Sequence, residues 1–247
     1  MVAAYQYRPP VPPGVFSILR RLAGERPPRI LDLGTGRGEI ARPLTSWASH
    51  VDAVDASLPM VEAGRVLPGG DHPRLDWIAA AAEDAPFEGP YDLEIAANSL
   101  HWMDWQRVLP RLADALAPDG WLVLVDVGTG TVPWEGELRD LIRTHSTNRE
   151  FRPYDLVDEL TARSLFALAG QEEPEPVGYE VPVAHYIEAM HSQNGFVRSA
   201  MGDDAAVFDA AVRQLTEPWA EGDLLHLAAV SRVRWGKPKK GRGGARS

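Results

Sequence analysis

The residues with the clearest chemical reach in this chain are three glycines and two aspartates near its start. Gly34, Gly36 and Gly38 alternate behind the apolar run Ile30-Leu31-Asp32-Leu33, and Asp55 closes Val51-Asp52-Ala53-Val54, 21 positions after Gly34. With no Cβ in the way, a glycine turn lets a small ligand lie against main-chain N–H groups. Helical spacing resumes at Glu39-Ile40-Ala41-Arg42, which would aim a positive helix end at a carboxylate or phosphate. Spacing then narrows the ligand. A dinucleotide turn wants G-x-G-x-x-G, but here the third glycine comes one place early and Glu39 stands in its position. Asp32, just before the turn, would repel a pyrophosphate and attract an amino group, while a carboxylate at Asp55 can accept hydrogen bonds from ribose hydroxyls. His101 follows a further strand-like segment, at the place where a base or an orienting group for substrate would stand. The alternative packs it against Trp102 at a helix start.

Positioning these groups requires a sheet. Apolar runs at 30–33, 51–55, 75–79, 91–97 and 121–127 alternate with helical spacing, for example Val108, Leu109, Leu112, Ala115 and Leu116 in the stretch 105–116. That alternation predicts a doubly wound parallel sheet. It lapses after Val127: residues 136–145 and 156–169 read as helical, 177–181 as a sixth strand, 183–193 and 203–215 as helices, and 224–233 as a seventh strand. Glu94 is unusual inside a strand and is expected at a sheet margin or in a local pair. The leader, with Pro9, Pro10, Pro12 and Pro13, excludes regular helix before Val15, and helical spacing follows over 15–22.

Composition removes several classes. The 247 residues contain no cysteine, so disulfides, thiolate metal sites and cysteine nucleophiles are excluded. The histidines and acids show no convincing metal spacing, and no metal is expected; His50 and His72 are expected in solvated turns. The formal charge is −10, yet the last twelve residues carry five basic side chains and no acid, leaving −15 on the other 235. Such an acidic body is a poor match for a nucleic-acid backbone. With no secretory signal pattern and no run of about 18 apolar residues, neither a membrane partner nor export is expected, and a soluble cytoplasmic protein, monomer or homodimer, is.

The string D-x-G-x-G-x-G formed by Asp32, Gly34, Gly36 and Gly38 resembles motif I of the class I S-adenosylmethionine-dependent methyltransferases. The stretch VDAVDASLPMVEAGR resembles the second motif of that family, AAEDAPF the third, and YDLEIAANSLHW the segment after the fourth strand; RVLPRLADALAPDGWLVLVDV resembles the helix, turn and fifth strand. The resemblance covers roughly residues 5–127, more loosely to 235, and is nearest to small-molecule methyltransferases similar to trans-aconitate methyltransferase. It implies a Rossmann-like α/β fold with a seven-stranded sheet in order 3-2-1-4-5-7-6, the last strand antiparallel, and helical lid insertions. It also implies a lid segment and first helix over 1–28, a cofactor domain over 29–235 with a helical cap near 183–220, and a basic disordered tail over 236–247.

By the same resemblance the cofactor is S-adenosylmethionine, leaving as S-adenosylhomocysteine. The turn of Gly34, Thr35 and Gly36, with Asp32 before it, would hold the methionine end, and Asp55 the ribose. Ala56 and Met60 would flank adenine, Ala82 and Glu83 would read its edge, and Asn98 would lie beside the cofactor. Many relatives carry an acid where this chain has Ala81, which leaves Glu83 as the acid for the adenine amino group. Tyr5, Tyr7 and Arg8 match a leader that folds over the cofactor mouth, and with His101 and Trp102 are the expected substrate contacts. The implied reaction moves a methyl group to an oxygen, nitrogen or carbon of a small organic molecule. His101 would serve as base, or His101 or Arg8 would orient a carboxylate that needs none. Alternatives are a relative that uses the cofactor without methylating, for cyclisation, decarboxylation or hydroxylation, a nicotinamide-dependent oxidoreductase, and a non-catalytic partner subunit.

Overall fold

In the computed structural model, residues 2–150, 152 and 154–240 are described. The chain divides into two compact units: Val11–Val127, Tyr154–Glu175 and Ser231–Ser247 form the larger, and Met1–Pro10, Gly128–Pro153 and Pro176–Val230 the smaller. Among the described residues there are eight strands: β1 (Arg29–Leu33), β2 (His50–Asp55), β3 (Leu75–Ala79), β4 (Tyr91–Ala97), β5 (Leu116–Thr129), β6 (Phe166–Glu172), β7 (Val177–Pro182) and β8 (Leu224–Pro238). They hydrogen-bond in the order β3-β2-β1-β4-β5-β8-β6, with β7 also on β8. β1 to β5 are parallel, whereas β8 is antiparallel to both β6 and β7. This is the expected α/β topology with one more strand than the sequence reading counted.

The extra strand is β6, read from sequence as the end of a helix over 156–169. The helix stops at Ala162 because Ser164 turns left-handed, at φ +57°. The Ser164 N–H donates to Thr161 O (2.9 Å) and the Leu165 N–H reaches back to Leu160 O (2.8 Å), the two bonds of a Schellman stop. That stop usually advertises itself with glycine, and serine hid it. Ser164→Gly should relieve the left-handed penalty and lose part of the gain to backbone entropy, a net stabilisation of about 0.5–1 kcal/mol read as a higher urea midpoint.

Other departures have equally local causes. The helix behind the glycine turn covers only Ala41–Leu44; Pro43 lacks an N–H, and the Thr45 and Ser46 hydroxyls donate to Arg42 O (2.7 Å) and Pro43 O (2.8 Å). So short a segment offers no strong helix end, and the turn must bind through its own backbone. The leader does contain helix, Val2–Tyr5, and the next begins at Pro13, since proline is acceptable in a first turn. β8 continues to Pro238, where Lys237 Nζ donates to the carbonyls of Pro118 and Gly120. Residues 241–247 of the expected tail lie outside the described residues.

Two apolar layers sandwich the parallel sheet of the larger unit. Leu31, Leu33, Ala96, Leu122 and Leu124 face Leu109 and Leu112 of the helix Trp105–Ala115, while Ile30, Val51, Leu93, Ile95 and Val123 pack with Val15, Ile18 and Leu19. Glu94 lies at neither margin nor pair. β4 is flanked by β1 and β5, and the Glu94 side chain is sealed in the apolar layer with no partner for either oxygen. The smaller unit has its own core around Phe208, Trp134, Tyr186 and Phe196. Among the described residues no helix is long and apolar enough to cross a membrane.

Candidate active site

Because β1 to β4 are parallel and in register, with Leu33 beside Val54 and Ala96 and Asp55 beside Ala79, their carboxyl ends share one edge. The four segments singled out in the sequence each begin at one of those ends, the place where α/β sheets collect ligand-binding loops. Gly34, Gly36 and Gly38 take φ values of +63°, +59° and +79°, which L side chains resist. At Gly34 a Cβ would in addition lie 2.4 Å from the Cβ of Ser99. Ser99 donates its hydroxyl to Leu33 O (2.6 Å), fastening the segment after β4 to the turn after β1.

Hydrogen bonds also lock this turn to β2. Thr35 N–H donates to Val54 O (3.0 Å), Gly36 N–H to Asp55 Oδ2 (2.8 Å), and Ser57 N–H to Asp55 Oδ1 (2.8 Å). Each Asp55 oxygen thus has one protein donor. A carboxylate has about four acceptor positions, so roughly two remain for a ligand diol. Burial raises the Asp55 pKa, opposed by the Ser57 and Gly36 N–H groups. Asp32 is placed differently from the expectation of a direct face to an amino group. It is 2% exposed, accepts the Thr35 hydroxyl (2.6 Å) on Oδ2 and takes the Ala41 N–H, so it braces the turn from behind. Burial pushes its pKa to about 7, against the pull of those two hydrogen bonds.

Ala56 is exposed just past Asp55, and Met60 is buried in the helix Leu58–Arg65. In the third segment Ala82 is buried, and Glu83 Oε1 accepts the Asp104 N–H (2.6 Å). Asn98 turns left-handed at φ +48°, and its amide grips Val127 twice, donating to the carbonyl (2.7 Å) and accepting from the N–H (3.1 Å). It therefore clasps β4 to β5 through its side chain. His101 and Trp102 are the exposed residues of the 3-10 turn Leu100–Trp102, whose Leu100 is buried; their ring centroids lie 5.0 Å apart and Trp102 is 64% exposed. A tryptophan left so open at a strand-end edge suits contact with a ligand or substrate.

Tyr5, Tyr7 and Arg8 belong to the smaller unit. Arg8 donates to the hydroxyl and carbonyl of Ser192 (both 2.9 Å) and to Tyr5 Oη (3.0 Å), and lies 4.0 Å over the Tyr5 ring. Tyr7 stacks on His185 at 4.0 Å. At the amino ends of the strands in the larger unit, His50, Asp52 and Asp76 come close enough to share an ion, a grouping the sequence reading missed because β3 brings Asp76 across. Asp52 Oδ2 already accepts from Arg29 (3.0 Å) and Tyr91 Oη (2.8 Å), so Arg29 supplies the positive charge and the group reads as an ion-pair network.

Sequence reasoning also missed Arg111, whose guanidinium holds the carbonyls of Ala82 and Ala85. The available signal was the spacing of Asp104, Arg107 and Arg111, one polar stripe on the helix Trp105–Ala115.

Comparison with known proteins agrees with this geometry. Residues 30–120, from β1 into β5, match the family model described as a methyltransferase domain. An uncharacterized methyltransferase of Mycobacterium tuberculosis is 29% identical over 186 residues, 74% of this chain and 71% of that protein. The demethylmenaquinone methyltransferase of Clavibacter sepedonicus is 33% identical over 149 residues, 60% of this chain and 53% of that one. A solved structure from Anaeromyxobacter dehalogenans assigned to the type II methyltransferases superposes with a TM-score of 0.64 at 23% identity, covering 93% of this chain and 97% of its own, and shares the fold. The glycine turn, the acid after β2 and the strand order are similar to those of the class I S-adenosylmethionine-dependent methyltransferases, in line with the methyltransferase-domain match over residues 30–120.

Proposed function

We propose that the larger unit binds S-adenosylmethionine along the carboxyl edge of β1 to β4 and transfers its methyl group to an oxygen, nitrogen or carbon of a small organic molecule. The observation that carries this reading is Asp55, fixed by Gly36 and Ser57 with acceptor positions to spare, which is what a ribose diol requires. The residues present fit the cofactor. Backbone of Gly34, Thr35 and Gly36 would hold the aminoacyl end, braced by Asp32 through Thr35, while Ala56, Met60, Ala82 and the 82–85 backbone would wall in adenine. Asn98 shapes the edge through Val127. The acidic chain and the demethylmenaquinone-methylating relative support a small acceptor over a nucleic acid.

When bound, the cofactor supplies a methyl group activated by a sulfonium. What the chain itself must supply is alignment and exclusion of water, which can contribute on the order of 7–11 kcal/mol. His101, exposed after β4, can take the proton of a hydroxyl or ammonium acceptor, and for a carboxylate it serves to orient. Trp102 offers the acceptor an aromatic face. Within the smaller unit we assign Arg8 to pinning the leader on Ser192, and the Tyr7–His185 stack to contact with a planar or cationic substrate group.

Titration calorimetry tests the reading. S-adenosylhomocysteine should bind with micromolar affinity and NADH should not; the reverse order sinks the proposal. Methyl label that stays on the cofactor while an acceptor is turned over would move the chemistry to a non-methylating use of the same pocket.

A further inference from the structure

Residues 82–87 have little regular structure to hold them. Locally the N–H groups of Asp84 and Ala85 donate to Ala81 O (3.0 and 2.8 Å), and Ala82 and Ala85 are buried. The helix Trp105–Ala115 fixes them from outside at successive turns. Asp104 N–H donates to Glu83, Arg107 pairs with Asp84 (2.7 Å), and Arg111 donates to the carbonyls of Ala82 and Ala85 with its guanidinium 4.3 Å over the Phe87 ring. These ties are unequal. The Arg107–Asp84 pair is 57% and 69% exposed and contributes little. Arg111 is part-buried, and its contacts need a planar fork: two carbonyls three residues apart, and an aromatic face beneath. A lysine would meet both carbonyls with one nitrogen in place of two.

We propose that Arg111 is a positioning residue for nucleobase recognition. Because a peptide bond is planar and trans, holding the Ala82 carbonyl on one side aims the Glu83 N–H to the other, away from the helix. Arg111 thereby sets the direction of a backbone donor in the segment assigned above to adenine, while its own side chain stays clear of the ligand. This inference rests on the cofactor reading proposed above.

The test compares S-adenosylhomocysteine with its inosine counterpart, S-inosylhomocysteine, in which the exocyclic amino group is replaced by oxygen and ring N1 carries a proton, so that the N1 acceptor a backbone N–H meets on adenine becomes a donor. Wild type should prefer the adenine ligand. Arg111→Met should weaken that ligand by about ten-fold or more and leave the inosine ligand nearly unchanged, so that discrimination collapses. Arg111→Lys should restore at most part of it, because one ammonium replaces the two separate nitrogens that each hold a carbonyl. Asp55→Ala should weaken both ligands alike. Should Arg111→Met not fold, Phe87→Leu, which removes only the stacked ring, decides by the same ratio. Wild-type discrimination retained in these variants, or an equal loss of both ligands, overturns the role of Arg111 alone. A wild type that binds neither ligand overturns the cofactor reading and this inference together.

Discussion

Asp55→Ala is expected to weaken S-adenosylhomocysteine by about two to four orders of magnitude, the largest effect of any single change at the strand-end edge. Two losses combine. The variant removes the acceptors assigned to the ribose diol, and it strips the partners from the Gly36 and Ser57 N–H groups. Charge-assisted bonds contribute about 1.5–3 kcal/mol each, so losing two of them corresponds to that range of affinity. Asp55→Asn separates the losses. One amide oxygen keeps a backbone partner, but the NH2 opposes the other N–H and cannot accept a hydroxyl proton, so affinity should fall by an intermediate factor. Burial raises the pKa of Asp55, so wild-type affinity should also decline in acid, starting at a higher pH than for an ordinary carboxyl. Calorimetry of the three proteins, with circular dichroism to confirm folding, measures this. Unchanged affinity in the alanine variant would remove Asp55 from the ribose and with it the central support for the cofactor reading.

The sequence made the parallel half of the sheet legible because each strand is a short apolar run ending in chemistry, and because the structure seals both faces. Asp32, Gly34, Gly36 and Asp55 could be found for the same reason. Their direction could not. Whether Asp32 faces a ligand or braces Thr35 from behind depends on where Ala41 returns its N–H, which no local pattern states. Glu94 was read as marginal since a carboxylate costs so much inside; the structure keeps it central. β6 was masked by a helix stop with serine in the glycine position. Arg111 and the His50–Asp76 approach depend on elements distant in sequence meeting in space. The second half of the chain was read least well. Its strands pair antiparallel with one long partner, so neither alternation with helices nor length fixed their number.

Glu94 carries the second large effect, on stability. Its side chain is fully buried between Leu31 and Leu122 in register, neither oxygen has a partner, and burial raises its pKa well above the ordinary value, with Lys237 pulling only partly the other way. The folded protein therefore keeps a proton there that the unfolded chain releases once pH passes the usual glutamate range. Between those two values the unfolded state binds fewer protons, so stability falls as pH rises. Asp32 has the same sign, but its contribution is complete near pH 7, the value to which burial lifts it. The part of the decline that disappears in Glu94→Leu is the part that belongs to Glu94. That variant should stabilise the protein by about 2–4 kcal/mol, since an apolar side chain of similar size replaces an unbonded carboxyl. Glu94→Gln should flatten the same part with a smaller gain, because a neutral amide still lacks partners. Urea unfolding of the three proteins from pH 5 to 9 gives the answer. Parallel curves for wild type and Glu94→Leu would mean that Glu94 is ionised or bonded in the folded protein, contrary to its burial among leucines.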